Sequence, residues 1–222
     1  MQRHTFEQKL HAVQAEVLVL GHLVDAALGA AVEALIRGDL PGAQRLMAEA
    51  CLIAGKRSAL ETEALSQIAT QQPVASDLRI LVAVLEVIAE LERMGSYAAS
   101  IAQMTLHLAG QPLPDPFPRI IPQMGAEVRQ MLRRALLALA QRDTHQARAI
   151  PAQDDTVDHL YQEVCQALAT MIKTHPAQMH QATYLSRVAH NLERTADRVV
   201  NICEWVVFAV TGEMKELNRG EA

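Results

Sequence analysis

The stretch LERMGS at residues 91–96 has a near copy in LERTAD at residues 192–197, and each lies within an apolar helical pattern. The two stretches are 101 residues apart, and Ile101 and Ile202 keep the same offset. A period of about half the chain is typical of two copies of one supersecondary unit. The sequence therefore predicts a fold built from two similar halves.

The composition of the 222 residues favours long helices around an aliphatic core. Apolar residues make up 50% of the chain and aromatic residues only 3%, so Ala, Leu, Val and Ile fill the interior. Glycine and proline occur in a few clusters instead of at the short, regular intervals of an all-β chain. We therefore expect an all-α fold.

Breaks in the helical pattern divide each half into three helices. In the first half the breaks lie at residues 38–41 and 71–73, and four prolines within residues 110–118 stop the third helix. In the second half, Asp143 is a candidate N-cap, Pro151 a candidate interruption and residues 175–176 a further break. The predicted fold is two tandem three-helix bundles with six long helices.

The proline-rich stretch also predicts the domain boundaries. The first three-helix repeat is predicted at residues 1–110, the linker at residues 111–118 and the second repeat at residues 119–222. Between the first two helices of each half the offset is 104 residues rather than 101, so the second repeat is shorter by three residues before its last helix.

Charge and cysteine content limit the classes of partner. The net charge is −5, which gives no reason to expect nucleic acid. The three cysteines are far apart and show no CxxC spacing, as expected for a reducing cytoplasm. We find no signal peptide pattern and no uninterrupted apolar run of about 20 residues, the length that spans a bilayer. Contact with a membrane is therefore expected only through partners.

Two carboxylate pairs in the second half form the candidate site. Asp154 and Asp158 are four residues apart, and so are Glu193 and Asp197 on the last helix. Residues four apart lie on one helix face, so four carboxylates converge if these two faces meet. Their repulsion calls for a cation, and oxygen-rich sites suit hard or borderline divalent and trivalent metals.

Two simpler interpretations of these carboxylates stay open. Acidic residues four apart are often a solvated helix face, and Arg194 and Arg198 are near enough in sequence to neutralise them. His190 lies one turn before Glu193 and either adds a ligand or packs elsewhere.

The first half lacks the four-carboxylate pattern. Ala50, Ala54 and Ser96 stand where the second half has three of its carboxylates, which leaves only Glu92. We therefore expect no metal site there, and expect Glu92 and Arg93 to form surface or interhelix ion pairs. Neither half contains a Ser-His-Asp order, a glycine-rich phosphate loop or a cysteine with a marked base, so the sequence does not indicate an enzyme.

At its repeated segments the chain resembles the PhoU family of phosphate-signalling proteins. The resemblance rests on residues 71–79 (QQPVASDLR), 90–95 (ELERMG) and 191–197 (NLERTAD), and it extends from about Phe6 to Gly212. It implies two three-helix bundles related by pseudo-twofold symmetry. It also implies a cytoplasmic negative regulator of the phosphate-starvation response, which couples the phosphate ABC transporter to a membrane-bound sensor histidine kinase.

The resemblance also implies metal clusters on E(D)xxxD motifs from pairs of helices. Asp154xxxAsp158 and Glu193xxxAsp197 match that motif, whereas the first half does not. We therefore expect at most one site, for iron or another divalent or trivalent metal, in the second repeat.

Three hypotheses follow from these observations. In the first, the chain is an adaptor that binds the transporter's nucleotide-binding subunit and the kinase. In the second, it is a metal-binding helical protein, and in the third a helical oligomerisation module, with a homodimer the simplest form. For the adaptor, the candidate partner-contact or architectural residues are Asp77, Arg79, Glu92, Arg93 and Arg194.

Overall fold

The computed structural model describes residues 2–214 and 216–217, and within them every regular element is helical. The helices of the first repeat are α1 (Gln2–Arg37), α2 (Leu40–Gln71) and α3 (Ser76–His107). Those of the second are α4 (Phe117–Gln141), α5 (Thr144–Ala149), α6 (Asp154–Thr174) and α7 (Met179–Thr211). The predicted all-α fold is confirmed. A 3₁₀ turn from Pro151 to Gln153 separates α5 from α6, where the sequence predicted an interruption.

The two repeats begin their second helix with the same capping contact. The carboxylate of Asp39 accepts a hydrogen bond from the backbone N–H of Gly42 at 2.9 Å. The carboxylate of Asp143 does the same for Gln146 at 3.0 Å. Each aspartate satisfies a backbone donor that the helix leaves unpaired, which fixes the chain reversal before α2 and α5. The predicted N-cap at Asp143 is confirmed.

Helix α1 is long and apolar enough, by length and composition, to cross a membrane from Phe6 to Arg37. Its apolar stripe, however, faces protein. Val17, Leu20 and Val24 are completely buried in the core. The core helix of a globular protein meets the same length and composition criteria, and the burial of this stripe explains the apolar character of α1.

Helices α3 and α7 form the most extensive contact in the structure, and they meet symmetrically. The side-chain amide of Asn201 donates to Glu90 at 3.4 Å, and that of Asn191 donates to Ser100 at 2.9 Å. Glu90 and Asn191 are equivalent by the 101-residue offset, and so are Ser100 and Asn201. The two hydrogen bonds therefore join equivalent pairs of positions across a pseudo-twofold axis, with the donor and acceptor positions exchanged.

Helices α1 and α4 pack across the same axis through glycine. A Cβ atom on Gly21 would lie 2.5 Å from Cδ2 of Leu136, and one on Gly125 would lie 3.1 Å from Cγ2 of Val32. The two contacts are equivalent by the 104-residue offset. Beside them, Arg129 of α4 holds the carboxylate of Asp25 with two hydrogen bonds of 2.9 and 3.2 Å.

We expect Gly21→Val to lower the free energy of unfolding by about 1–3 kcal/mol, because the new methyl groups overlap Leu136. Gly55 is the matched control, since a Cβ atom there meets nothing within 4 Å. Gly55→Ala should raise the free energy of unfolding by about 0.5–1 kcal/mol through the entropy of the unfolded chain. Urea unfolding measures both. Equal effects of the two substitutions would contradict the close α1–α4 packing.

The C-terminal segment folds back onto α7 through Glu204. The backbone N–H of Leu217 donates to its carboxylate at 2.8 Å. Burial raises the pKa of Glu204 above its ordinary value; the Leu217 hydrogen bond offsets part of the rise, and repulsion from Glu216 and Glu90 adds to it. The ionised form of the Glu204 carboxylate therefore lowers the stability of the folded protein.

This pKa shift predicts how stability changes with pH. A carboxyl group with a raised folded-state pKa destabilises the protein above that pKa, and the penalty disappears as the pH falls through the folded pKa to the ordinary glutamate value. Glu204→Gln, which keeps the acceptor oxygen, should therefore be more stable than the wild type at pH 7. We expect the difference to shrink toward pH 4.5 in urea titrations. A difference in the free energy of unfolding that does not change with pH would contradict a raised pKa at Glu204.

Candidate functional site

Helices α6 and α7 pack against each other and position the four carboxylates of the second repeat. Asp154 is the first residue of α6 and is 6% exposed, and Asp158 lies one turn further along. Glu193 and Asp197 lie in the middle of α7. The α6 pair is close to the helix N-terminus because Pro151 interrupts the helix just before it.

Three of these carboxylates influence one another electrostatically. Burial raises the pKa of Asp158, and the charges of Asp197 and Asp155 raise it further. Burial also raises the pKa of Glu193, with Asp197 and Asp158 adding to the rise and His190 and Arg194 opposing it. The structure thus brings Asp158, Glu193 and Asp197 together, as predicted from their spacing.

The two arginines beside the cluster point to other partners. The guanidinium of Arg194 lies 5.7 Å from the ring centroid of Tyr97 on α3. Arg198 pairs with Glu90 on α3 at 3.5 Å. Glu193 has His190 beside it instead, and Nδ1 of that ring lies 3.4 Å from Oε2. Arg198 therefore makes a contact between the two repeats, whereas Arg194 contacts Tyr97 and its charge still lowers the pKa of Glu193.

The donor chemistry of this cluster suits a cation. Oε2 of Glu193 is buried and accepts no hydrogen bond, and the charges of Asp197 and Asp158 raise the pKa of Glu193 despite the nearby His190 and Arg194. Carboxylate oxygens are the ligands that hard cations prefer. Among the described residues, however, no three histidine, cysteine, aspartate or glutamate side chains are grouped as metal ligands. A metal would have to draw these side chains closer together.

The first repeat has an ion-pair network and no carboxylate cluster at the equivalent place. Glu92 pairs with Arg57 of α2 at 3.5 Å and accepts a hydrogen bond from Ser96 at 3.2 Å. Arg93 pairs with Glu90 at 2.9 Å. Glu92 and Arg93 thus occupy the ion pairs predicted for them, one of which joins α2 to α3.

Asp77 and Arg79 lie in the first turn of α3. A carboxylate at Asp77 is favourable there because the helix N-terminus carries partial positive charge. Arg79 packs beside Gly212, where a Cβ atom would lie 3.3 Å from its Cδ, and its Nε is buried without a hydrogen bond. Arg79 therefore contacts the end of α7, which is an architectural position.

The sequence did not predict a cavity of about 350 Å³ in the first repeat, between α1, α2 and α3. Alanines form much of its lining, including Ala50, which stands where the second repeat has Asp154. The missing carboxylates of the first repeat predicted only that this repeat has no metal site. The signal for a cavity was the cluster of small side chains on three neighbouring helices.

Comparison with known proteins identifies the family. The family model for the PhoU domain matches residues 17–105 and residues 121–206, one match in each repeat. The chain belongs to the PhoU family. Both matches fall within the predicted repeats, so the family pattern covers most of α1–α3 and most of α4–α7.

Several relatives are similar over their full length. A phosphate-specific transport system accessory protein PhoU homolog of Clostridium acetobutylicum is 30% identical over 98% of this chain and 100% of the relative. A PhoU homolog of Zymomonas mobilis with the same name is 33% identical over 97% of this chain and 91% of the relative. The crystal structure of the phosphate transport system regulatory protein PhoU from Streptococcus pneumoniae matches with a TM-score of 0.88, 29% identity and coverage of 95% and 99%. The crystal structure of PhoU from Pseudomonas aeruginosa matches with a TM-score of 0.89 and 28% identity, and the match covers 94% of this chain and 100% of that one.

Proposed function

We propose that this chain is a negative regulator of the phosphate-starvation response, an adaptor that couples the phosphate ABC transporter to a sensor histidine kinase in the cytoplasm. The observation that carries the proposal is its full-length similarity to proteins named as accessory or regulatory parts of a phosphate transport system. A similarity that covers both repeats supports a shared role better than one confined to a single bundle.

The adaptor acts by binding one conformation of its partner more tightly than another. A binding protein shifts its partner's conformational equilibrium only through such differential affinity. Exposed helix faces supply the contact area, and Arg93, with half of its side chain exposed, is available at one of them. Asp77, Arg79, Glu92 and Arg194 support the architecture around these faces.

Deletion of the gene tests the proposal. We expect a reporter of the phosphate-starvation response to be expressed in phosphate-rich medium in the deletion strain and to be repressed again by the wild-type chain. An unchanged reporter in the deletion strain would contradict a regulatory role. Co-purification of the chain with the transporter's nucleotide-binding subunit or the kinase separates an adaptor from an oligomerisation module.

A second candidate function is metal binding at the second repeat, supported by the buried Oε2 of Glu193, which accepts no hydrogen bond, and by the neighbouring carboxylates that raise the pKa of Glu193. Asp154, Asp158, Glu193 and Asp197 would hold iron or another divalent or trivalent ion. The bound charge would offset their mutual repulsion. Metal binding would then add a signal to the adaptor without replacing it.

We expect protein purified without chelators to contain metal in elemental analysis, and Asp197→Ala or Asp158→Ala to lose it. Glu92→Ala is the matched control, because Glu92 is the equivalent of Glu193 but pairs with Arg57. Equal loss from all three substitutions would contradict a site confined to the second repeat. Absence of metal in the wild type would leave the carboxylates as a repulsive face without a ligand.

A further inference from the structure

An open groove between α1 and α2 contains the cavity of the first repeat and continues beyond it. We call it the outer groove and define it by Leu23, Ala26 and Ala30 of α1, Glu49 and Leu52 of α2, and Gly95 of α3. A second cavity of about 340 Å³ shares Ala30, Leu46 and Glu49 with the first, so the two adjoin along the helices.

Ion pairs bound the outer groove at both ends. At one end Lys56 pairs with Glu16 across the two helices. At the other end Arg37 pairs with Glu33 at 2.8 Å, and Arg45 lies 4.0 Å from Asp39. Glu49 lies between these ends and has no ion-pair partner among the described residues. The groove therefore carries one uncompensated negative charge near its middle.

The apolar part of the outer groove is exposed and has helical spacing. Leu52 is 68% exposed and Leu23 is 43% exposed, which is unusual for large aliphatic side chains beside a cavity. On α1, Val19, Leu23, Ala26 and Ala30 follow steps of four, three and four residues, the spacing of a coiled-coil seam. This stretch covers about 17 Å, or three turns of a partner helix.

We infer that the outer groove is the docking site for an amphipathic helix of a partner protein. Its apolar residues, spaced three and four apart, fill the cavity, and a lysine or arginine pairs with Glu49. The alanines let this helix approach closely, because they add little bulk to the groove. The inference rests on the proposed function, in which the partner is the transporter's nucleotide-binding subunit or the kinase.

Charge argues against a second copy of this chain as the occupant. Two copies related by a twofold axis through the groove would each bring Glu49 to the same place, and like charges there oppose association. A basic residue on a different protein removes this repulsion. An apolar groove alone could bind either a second copy of this chain or a different protein. The Glu49 carboxylate favours a different protein.

The test measures binding of the purified nucleotide-binding subunit and of the cytoplasmic part of the kinase, both from the same bacterium. Leu52→Asp and Glu49→Lys should each weaken binding by at least about tenfold, the loss expected for one buried leucine or one well-placed charge pair. Leu65→Asp is the control for Leu52, since Leu65 is 55% exposed on the same helix outside the groove. Glu86→Lys is the control for the charge reversal, on an exposed position of α3.

The outcomes separate the docking inference from the proposed function. Binding by the wild type that all four variants retain would overturn the docking inference and leave the adaptor function intact. A wild type that binds neither protein would overturn both. A wild-type dimer that Leu52→Asp converts to a monomer in analytical ultracentrifugation would show a second copy in the groove and overturn the choice of occupant. Thermal unfolding of the variants confirms that these exposed substitutions preserve the fold.

Discussion

Replacing Leu192 by alanine is expected to lower the free energy of unfolding by about 3–5 kcal/mol, and Leu91→Ala should cost about the same. The two leucines are equivalent by the 101-residue offset, and their exposed fractions are 1% and 0%. Both belong to one hydrophobic cluster that includes side chains from both repeats. Each substitution therefore leaves a cavity in a core that the repeats share.

The two repeats are also expected to unfold together. Because α3 and α7 form the largest interhelix contact, we expect a single cooperative transition by circular dichroism and by calorimetry, shifted as a whole by either substitution. Two transitions, of which Leu192→Ala moves only one, would contradict a shared core. In that case the predicted boundaries at residues 1–110 and 119–222 would mark independently folding domains.

The helices and their order follow from local sequence signals. Asp143 caps a helix because its side chain reaches a backbone N–H three residues on, and Pro151 interrupts one because it lacks a donor and clashes with the preceding turn. Such effects act within a few residues, so a pattern along the chain is enough to predict them. The duplicated LER stretch added the symmetry, because equivalent segments fold into equivalent helices.

Contacts between helices could be predicted only in part. The four-residue spacing correctly placed Asp158, Glu193 and Asp197 near one another, since it fixes which face of a helix a side chain occupies. Spacing does not show which neighbour a long side chain selects. Arg198 is one residue from Asp197, yet it reaches across to Glu90 in the other repeat. The outer groove was missed for a related reason, because small side chains reveal a cavity only when three helices are assembled.

Glu90 is the second position where we expect a large effect. It is 4% exposed, lies on the α3 face that meets α7, and pairs with Arg93 at 2.9 Å and Arg198 at 3.5 Å. Glu90→Ala should lower the free energy of unfolding by roughly 3 kcal/mol, because it leaves the Arg198 guanidinium in a mostly buried position without its partner. Nε of Arg198 already lacks a hydrogen bond in the intact protein.

Glu92→Ala is the matched control, two residues away on the same helix. Its side chain is 26% exposed and its Arg57 partner 38% exposed, so its loss should cost no more than about 1 kcal/mol. Removing both charges, in Glu90→Leu with Arg198→Met, should recover much of the stability, because two apolar side chains replace a desolvated ion pair. A double-mutant cycle by urea unfolding gives the coupling. If Glu90→Ala costs no more than Glu92→Ala, Arg198 turns to solvent when its partner is removed, and the Glu90–Arg198 pair does not stabilise the contact between the repeats.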